Sequence, residues 1–453
     1  MSTIAAIATG QAAGGIGIVR ISGENALFVA DRIFKTVSGL KLNTLSGYKA
    51  AFGTVFLDEK PLDEAIATVF RAPKSYTGED VVEISCHGGL YVTKQVLRAA
   101  LQNGAIPAEA GEFTKRAFLN GKLDLAKAEA VMQLISAQGE QARAASFNTL
   151  EGALSREIAA VSADLKSVSA SLAAWVDYPD EEIDDLSDDT IAQSIDKAIR
   201  ALQALLARFD SGKVILNGVD TAIVGKPNVG KSTLMNVLVG AEKSIVTDIA
   251  GTTRDIVEET VTVGNVILRL SDTAGIRDTA DTVERIGVER ARKKIENAAL
   301  ILALFDNSAP LTAADTDLFA LCEGKKAIAV VNKTDLDGAW DAKILDTVFN
   351  KVVYISAKEN TGVENLEKAI EETLGTADFD PSAATLMNER QHACCLAALE
   401  SLLEAKSAQD SGLTRDAVNV SLDAAIESLD TLTGEKATES VVNEIFSRFC
   451  VGK

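Results

Sequence analysis

The stretch Gly225-Lys226-Pro227-Asn228-Val229-Gly230-Lys231-Ser232 decides how the middle of this chain folds. An apolar run ending at Ile223 and Val224 precedes it, and a helical pattern follows. The expected unit is therefore a buried strand, a phosphate-cradling loop and the start of a helix. Through Asn228, Val229, Gly230, Lys231, Ser232 and Thr233 the backbone N–H groups and the helix amino terminus would face phosphate oxygens. Gly225 and Gly230 permit backbone angles that other residues resist. Lys231 would reach the β and γ phosphates, and Ser232 would supply a Mg²⁺ ligand.

Four further motifs follow in order. The pair Thr252 and Thr253 suits a loop that orders around a γ phosphate, with Thr253 as a second Mg²⁺ ligand. Asp272-Thr273-Ala274-Gly275 ends a strand: Asp272 fits a water-bridged Mg²⁺ contact and Gly275 can offer its N–H to the γ phosphate. Asn332-Lys333-Thr334-Asp335 sets base choice, because a carboxylate accepts both the ring N–H and the amino group of guanine. Such a polar site rejects the wrong base by roughly 10⁴-fold or more. Ser356-Ala357-Lys358 would complete the base pocket through the Ala357 backbone. Together the five predict a site for GTP. One position departs from Ras-like GTPases: Ile276 stands where a glutamine orients the attacking water. Another polar group must act, and Asp278, Asp281 and Glu284 are the nearby acids.

The rest of the chain surrounds this domain. Residues 1–118 mix strand-like runs (16–21, 65–70, 81–85) with helices and frequent glycines, as in an α+β domain. Residues 119–215 read as helical, with 123–172 and 191–209 as the clearest segments and Gly139 and Gly152 against one unbroken helix. Residues 177–189 hold eight carboxylates and no basic residue and suit a solvated connection. Residues 216–376 alternate strand-like runs (221–224, 266–270, 300–305, 327–331, 352–355) with helices, the pattern of a mainly parallel covered sheet. Residues 377–453 are helical again. The expected architecture is multidomain: an α+β N-terminal domain, an all-α helical domain built from both flanking blocks, and an inserted α/β P-loop GTPase domain.

The chain has 453 residues, 47% hydrophobic and 24% charged, with a net charge of -20. That balance is globular and argues against a sequence-independent nucleic-acid clamp, which needs clustered Lys and Arg. Cys86, Cys322, Cys394, Cys395 and Cys450 form no Cys-x-x-Cys pair, and His87 and His392 are the only histidines. Reduced thiols and no zinc site are expected. The first basic residue is Arg20, unlike a signal peptide, and apolar runs are too short to cross a bilayer. A cytoplasmic location is the expectation, with peripheral membrane contact left open.

With the motifs placed, the whole chain resembles the MnmE (TrmE) family of tRNA-modification GTPases. The resemblance rests on Gly17-Ile-Val-Arg20-Ile-Ser-Gly23, Tyr76-Thr-Gly-Glu-Asp-Val-Val-Glu83, His87-Gly-Gly89, Gly111-Glu-Phe-Thr114 and Ala117-Phe-Leu-Asn-Gly-Lys122-Leu-Asp-Leu-Ala126. It also rests on Thr247-Asp248-Ile249-Ala250-Gly251-Thr252-Thr253-Arg-Asp255 and the terminal Phe449-Cys450-Val-Gly-Lys453. The resemblance implies that residues 1–118 form a tetrahydrofolate-binding-like, homodimerising domain. It implies that K⁺ takes the place of an arginine finger, bound by the Asn228 side chain and the carbonyls of Thr247, Ile249 and Thr252. It assigns the water-orienting role to Glu284. Residues 247–253 would wrap the nucleotide and its cations. It implies 5-formyltetrahydrofolate held by Arg20, Glu83 and Lys122 with Lys453 nearby. Cys450 is a thiol beside that site, as nucleophile, support or neither. The implied reaction adds an aminomethyl or carboxymethylaminomethyl group to C5 of the wobble uridine of tRNA, jointly with an FAD-carrying partner, MnmG (GidA). A regulatory GTPase of ribosome assembly is the alternative, which the guanine motifs alone leave open.

Overall fold

A computed structural model describes residues 1–10, 12–177, 187–241, 259–270 and 295–453. The chain divides into two compact units. One comprises Met1–Met132, Leu150–Ile195 and Glu400–Lys453; the other comprises Gln133–Thr149 and Asp196–Leu399.

The first unit contains a seven-stranded sheet of β1 (Ile4–Ile7), β2 (Ile16–Ser22), β3 (Phe34–Thr36), β4 (Lys49–Leu57), β5 (Lys60–Phe70), β6 (Val81–His87) and β7 (Ile106–Pro107). Their order is β3-β4-β5-β6-β2-β1-β7. All pairs are antiparallel except β1 with β7. Val19 and Ile21 of β2 and Val82, Ile84 and Cys86 of β6 alternate into one core with residues of the helices Ala26–Ile33 and Leu90–Gln102. Because the side-chain period of a strand is two, Arg20 and Glu83 fall on the opposite face. They are paired directly across β2 and β6.

Strand β5 begins five residues before the run 65–70 expected from sequence. The β4–β5 hairpin turns at Asp58 and Glu59, with φ of 49° and 63°. A two-residue turn with both φ positive matches strand twist but normally recruits Asn or Gly. Asp suits the first position, but Glu at the second is not a turn former, so the hairpin is only half announced in sequence.

The expected helical stretch 123–172 is three helices, Leu125–Ser136, Glu140–Leu150 and Ala153–Asp177. Its breaks fall at Gly139 and Gly152. Most of the acidic stretch 177–189 lies outside the described residues. The helix Ala153–Asp177 packs along Arg415–Thr433. There the buried Asp430 carboxylate accepts from Ser162 Oγ (3.2 Å) and Lys166 Nζ (2.8 Å). That hydrogen bond pushes the Lys166 ammonium pKa up.

The second unit contains a six-stranded sheet of β8 (Val219–Gly225), β9 (Glu259–Val263), β10 (Val266–Leu270), β11 (Leu300–Asp306), β12 (Ala327–Asn332) and β13 (Lys351–Tyr354). Its order is β13-β12-β11-β8-β10-β9, parallel except for the β9–β10 hairpin. Every residue of β12 and all but the last of β11 are buried, as central parallel strands covered on both faces require. This is the α/β GTPase-type sheet expected from the motif spacing.

The carboxyl-terminal helix Glu439–Ser447 places Phe446 in a cluster with Leu125, Ala128, Val442 and Phe449. Phe446 is fully buried, its ring 6.2 Å from that of Phe118 and 5.1 Å from that of Phe449. Phe446→Ala is expected to destabilise the first unit by about 3–5 kcal/mol, read as a lower denaturant midpoint. Val420→Ala, at a residue 70% exposed, should change stability by no more than about 0.5 kcal/mol.

Candidate functional site: a guanine nucleotide pocket and a charged cluster

The phosphate loop joins the end of β8 to the helix Lys231–Ala241. Asn228 has φ of 67° and Gly230 of 99°. Asn tolerates the left-handed region better than most residues. Gly230 has a second reason to be glycine: a Cβ there would lie 2.2 Å from Asn332 Nδ2. Lys231 Nζ arches back and donates to the carbonyls of Gly225 (2.8 Å) and Lys226 (2.6 Å). Ser232 and Thr233 stand exposed in the helix's first turn, where a hydroxyl can meet a phosphate-bound cation.

The base-reading motif leaves the end of β12, two strands away from β8. Asn332 is buried, and its carboxamide is a brace. Nδ2 donates to the Val229 carbonyl (2.7 Å) and Oδ1 accepts from the Ala357 N–H (3.0 Å). It thereby joins the phosphate loop to the Ser356-Ala357-Lys358 turn. Asp335 Oδ1 accepts from Ser356 Oγ at 2.6 Å, and that oxygen in turn accepts from the Glu359 N–H at 3.2 Å. The Ser356 hydroxyl holds the Asp335 carboxyl below the usual carboxylate range. Asp335 therefore stays an anion, the form that accepts two guanine N–H groups. Lys358 is exposed and lies 3.5 Å from Glu359.

Three residues at this site carried no assignment from sequence. Asp306, at the end of β11, pairs with Lys333 at 2.6 Å. Trp340 Nε1 donates to the Asp306 carbonyl (2.9 Å). Asp315, almost fully buried, pairs with Lys226 of the phosphate loop at 2.6 Å. Asp315 also accepts from the N–H and hydroxyl of Thr312, forming the capping box of helix Ala313–Cys322. The Thr312-x-x-Asp315 spacing is a readable helix-start signature. Its link to the phosphate loop is not.

Thr247, Asp248, Ile249, Ala250, Gly251, Thr252, Thr253, Asp272, Thr273, Ala274, Gly275, Ile276 and Glu284 lie outside the described residues. Among the described residues no cluster of His, Cys, Asp or Glu is placed to hold a metal, and no helix is long and apolar enough to cross a membrane.

A second cluster lies in the first unit. Arg20 Nε donates to Glu83 Oε1 at 2.8 Å, and Arg20 Nη1 to the Gly452 carbonyl at 3.2 Å. The guanidinium sits 5.6 Å from the Tyr76 ring centre and 5.4 Å from that of Phe113. The carboxyl-terminal segment is fastened beside it: Val451 bridges Ala110, and Phe113 N–H donates to the Lys453 carbonyl at 3.2 Å. Gly452 has φ of 97°, and a Cβ there would lie 2.2 Å from the Ile7 carbonyl. The Lys453 ammonium is held below its ordinary range, first by burial and then by the charge of Arg20. Cys450 is exposed. Lys122 instead donates to the Pro73 carbonyl at 3.0 Å.

A phosphate loop between a parallel strand and a helix, braced through Asn332 to the motif that leaves β12 two strands away, is the arrangement of a P-loop GTPase. Residues 3–122 match the family described as GTP-binding protein TrmE N-terminus, and residues 125–450 match the MnmE helical domain. Over its whole length the chain is 41% identical to the tRNA modification GTPase MnmE of Alkaliphilus metalliredigens, covering 99% of that protein, and 41% identical to that of Bacillus licheniformis, covering 100%. It is 42% identical to the Bacillus mycoides protein of the same name, again over all of this chain and 99% of the other. The chain belongs to the MnmE (TrmE) family of tRNA modification GTPases.

Only an ionised Asp335 carboxylate could accept two guanine N–H groups, so nucleotide binding through it would be present above the Asp335 pKa and lost as pH falls through it. Ser356→Ala removes the hydroxyl that depresses this pKa. The acid limb of GDP binding, followed by fluorescent-nucleotide titration, is expected to move to higher pH in that variant.

Proposed function

We propose that GTP hydrolysis by this protein drives a tRNA modification at the wobble uridine. The product carries an aminomethyl or carboxymethylaminomethyl group at C5, made jointly with the FAD-carrying partner MnmG (GidA). A bound 5-formyltetrahydrofolate-type folate supplies the one-carbon unit. The chain acts as a homodimer in the cytoplasm.

One observation carries the reading: the segment ending in Cys450-Val-Gly-Lys453 is fastened beside Arg20 and Glu83. Arg20 pairs with Glu83, and the Lys453 ammonium feels the charges of both. The excess positive charge suits the glutamate carboxylates of a folate, and Glu83 can accept pterin N–H groups. Tyr76 and Phe113 offer aromatic surface beside Arg20. Lys122 is the remaining proposed contact, and Cys450 is a thiol available at the edge of the cluster.

In the GTP site, Lys231 and the loop N–H groups hold the phosphates, Ser232 and Thr253 hold Mg²⁺, and Asp335 reads guanine. A Mg²⁺ held there would supply charge neutralisation for phosphoryl transfer. Asn228, with the carbonyls of Thr247, Ile249 and Thr252, would supply the oxygen ligands of a weakly hydrated monovalent cation. K⁺ held by them would take the place of an arginine finger, whose contribution is about 10³–10⁵ in rate. Glu284 orients the attacking water in place of the missing glutamine, since Ile276 has no polar group.

Two measurements test this. Glu284→Ala should abolish GTP hydrolysis while nucleotide affinity is retained, and replacing K⁺ with Na⁺ should slow the parent protein steeply; near-normal turnover in the variant refutes the role of Glu284. Nucleoside mass spectrometry of tRNA from a deletion strain should show loss of the modified wobble uridine, restored by this chain. Normal modification in that strain refutes the proposed reaction.

A further inference from the structure

Lys333 lies between two residues that define the base pocket, Asn332 and Asp335, and its backbone is left-handed, with φ of 63°. A non-glycine residue in that region costs about 1–3 kcal/mol and persists only where its surroundings determine it. The backbone there is held by hydrogen bonds from Asn307 N–H to the Asn332 carbonyl and from Leu336 N–H to the Lys333 carbonyl, and the side chain is held by Asp306. Its Oδ2 takes the Lys333 ammonium at 2.6 Å, while its Oδ1 accepts from Ser308 N–H (2.9 Å) and Ser308 Oγ (2.6 Å). The Asp306 carbonyl is fixed by Trp340, and the next residue, Asn307, donates its N–H to the Asn332 carbonyl at 2.9 Å. The Asp306 carboxylate is thus immobilised on the last residue of a buried strand. Burial pushes its pKa up, but the hydrogen bonds from Lys333 and Ser308 outweigh that and hold it below the usual carboxylate range.

A lysine whose ammonium is tethered in this way loses the freedom of its four-carbon stem. The stem then becomes a fixed apolar strip, one-third exposed, beside the carboxylate that reads the base. We propose that Asp306 is a positioning residue of the guanine site: it holds Lys333 so that the lysine stem forms one wall of the base pocket. The proposal rests on the guanine site argued above. Asp306 touches no nucleotide atom in this arrangement and acts through Lys333 alone.

The stem meets the face of the base, not its edge. It should therefore contribute alike to GTP, GDP and ITP, whereas Asp335 distinguishes guanine from hypoxanthine through the 2-amino group. Asp306→Asn keeps the shape and can keep the Ser308 contacts while removing the charge that holds Lys333. In the full-length protein this variant is expected to weaken GDP and ITP-derived IDP by a similar factor, about tenfold. The hydrolysis defect should fall on KM. The double variant Asp306→Asn with Lys333→Ala should bind GDP no more weakly than Lys333→Ala alone, since both remove one interaction. Additive losses, unchanged GDP affinity in Asp306→Asn, or a loss confined to kcat each overturn the proposal. Asp335→Asn separates the two levels. It should lower GDP affinity and collapse the GDP-to-IDP preference, and if it does neither, the guanine-site reading itself fails and the role of Asp306 fails with it.

Discussion

The carboxamide of Asn332 bonds the phosphate loop at Val229 and the base-side turn at Ala357, and the geometry of the nucleotide site depends on that double contact. An unpaired buried amide costs about 1–3 kcal/mol, so neither bond is readily given up. The contact needs Gly230, because any side chain there would occupy the space of Asn332 Nδ2. The phosphate loop and the turn at Ser356-Ala357-Lys358 are therefore tied together through one side chain. The parallel strands β8, β11 and β12 make this possible by delivering their carboxyl ends to the same edge of the sheet. Asp306 and Asp315 extend the frame, each from its own element, to the two lysines that flank the pocket.

Much of this frame was legible in sequence because the phosphate loop and the base motif are each continuous. Strands β8, β10, β11, β12 and β13 fall within a residue or two of the apolar runs that announced them. So do the helix breaks at Gly139 and Gly152, where glycine offered a backbone reason to stop. The hairpin at Asp58 and Glu59 was only half legible, since Glu at its second position is not a turn former. Nor were Asp306 and Asp315. Each is an ordinary acid in sequence, and its partner stands 27 residues downstream for Asp306 and 89 upstream for Asp315. Long-range ion pairs leave no local pattern. Asn332 itself was visible as part of a motif, but its action as a brace was not.

The pairing of Arg20 with Glu83 shows the same limit from another side. Both residues belong to recognisable strands, yet only the β2–β6 register places them opposite each other, and a one-residue slip of either strand would turn its member of the pair into the core. Gly452 adds a contact that local pattern could not announce, its carbonyl meeting a guanidinium 432 residues away in the chain. The tight approach of Gly452 to the Ile7 carbonyl explains a glycine there without appeal to flexibility.

Charge gives that cluster its meaning. The chain carries a net charge of -20, with 65 acidic residues against 45 lysines and arginines. Lys166 is an example: its bond to Asp430 raises its pKa, and the ion pair is a stabilising contact. Lys453 goes the other way. It is half-buried with Arg20 as a neighbour, and the attraction of Glu83 does not offset those effects. A fold that only needed to secure its carboxyl-terminal segment could do so through Phe446, Phe449 and the backbone bonds to Ala110 and Phe113. Burial first, and then the charge of Arg20, disfavours the protonated ammonium of Lys453 in that position.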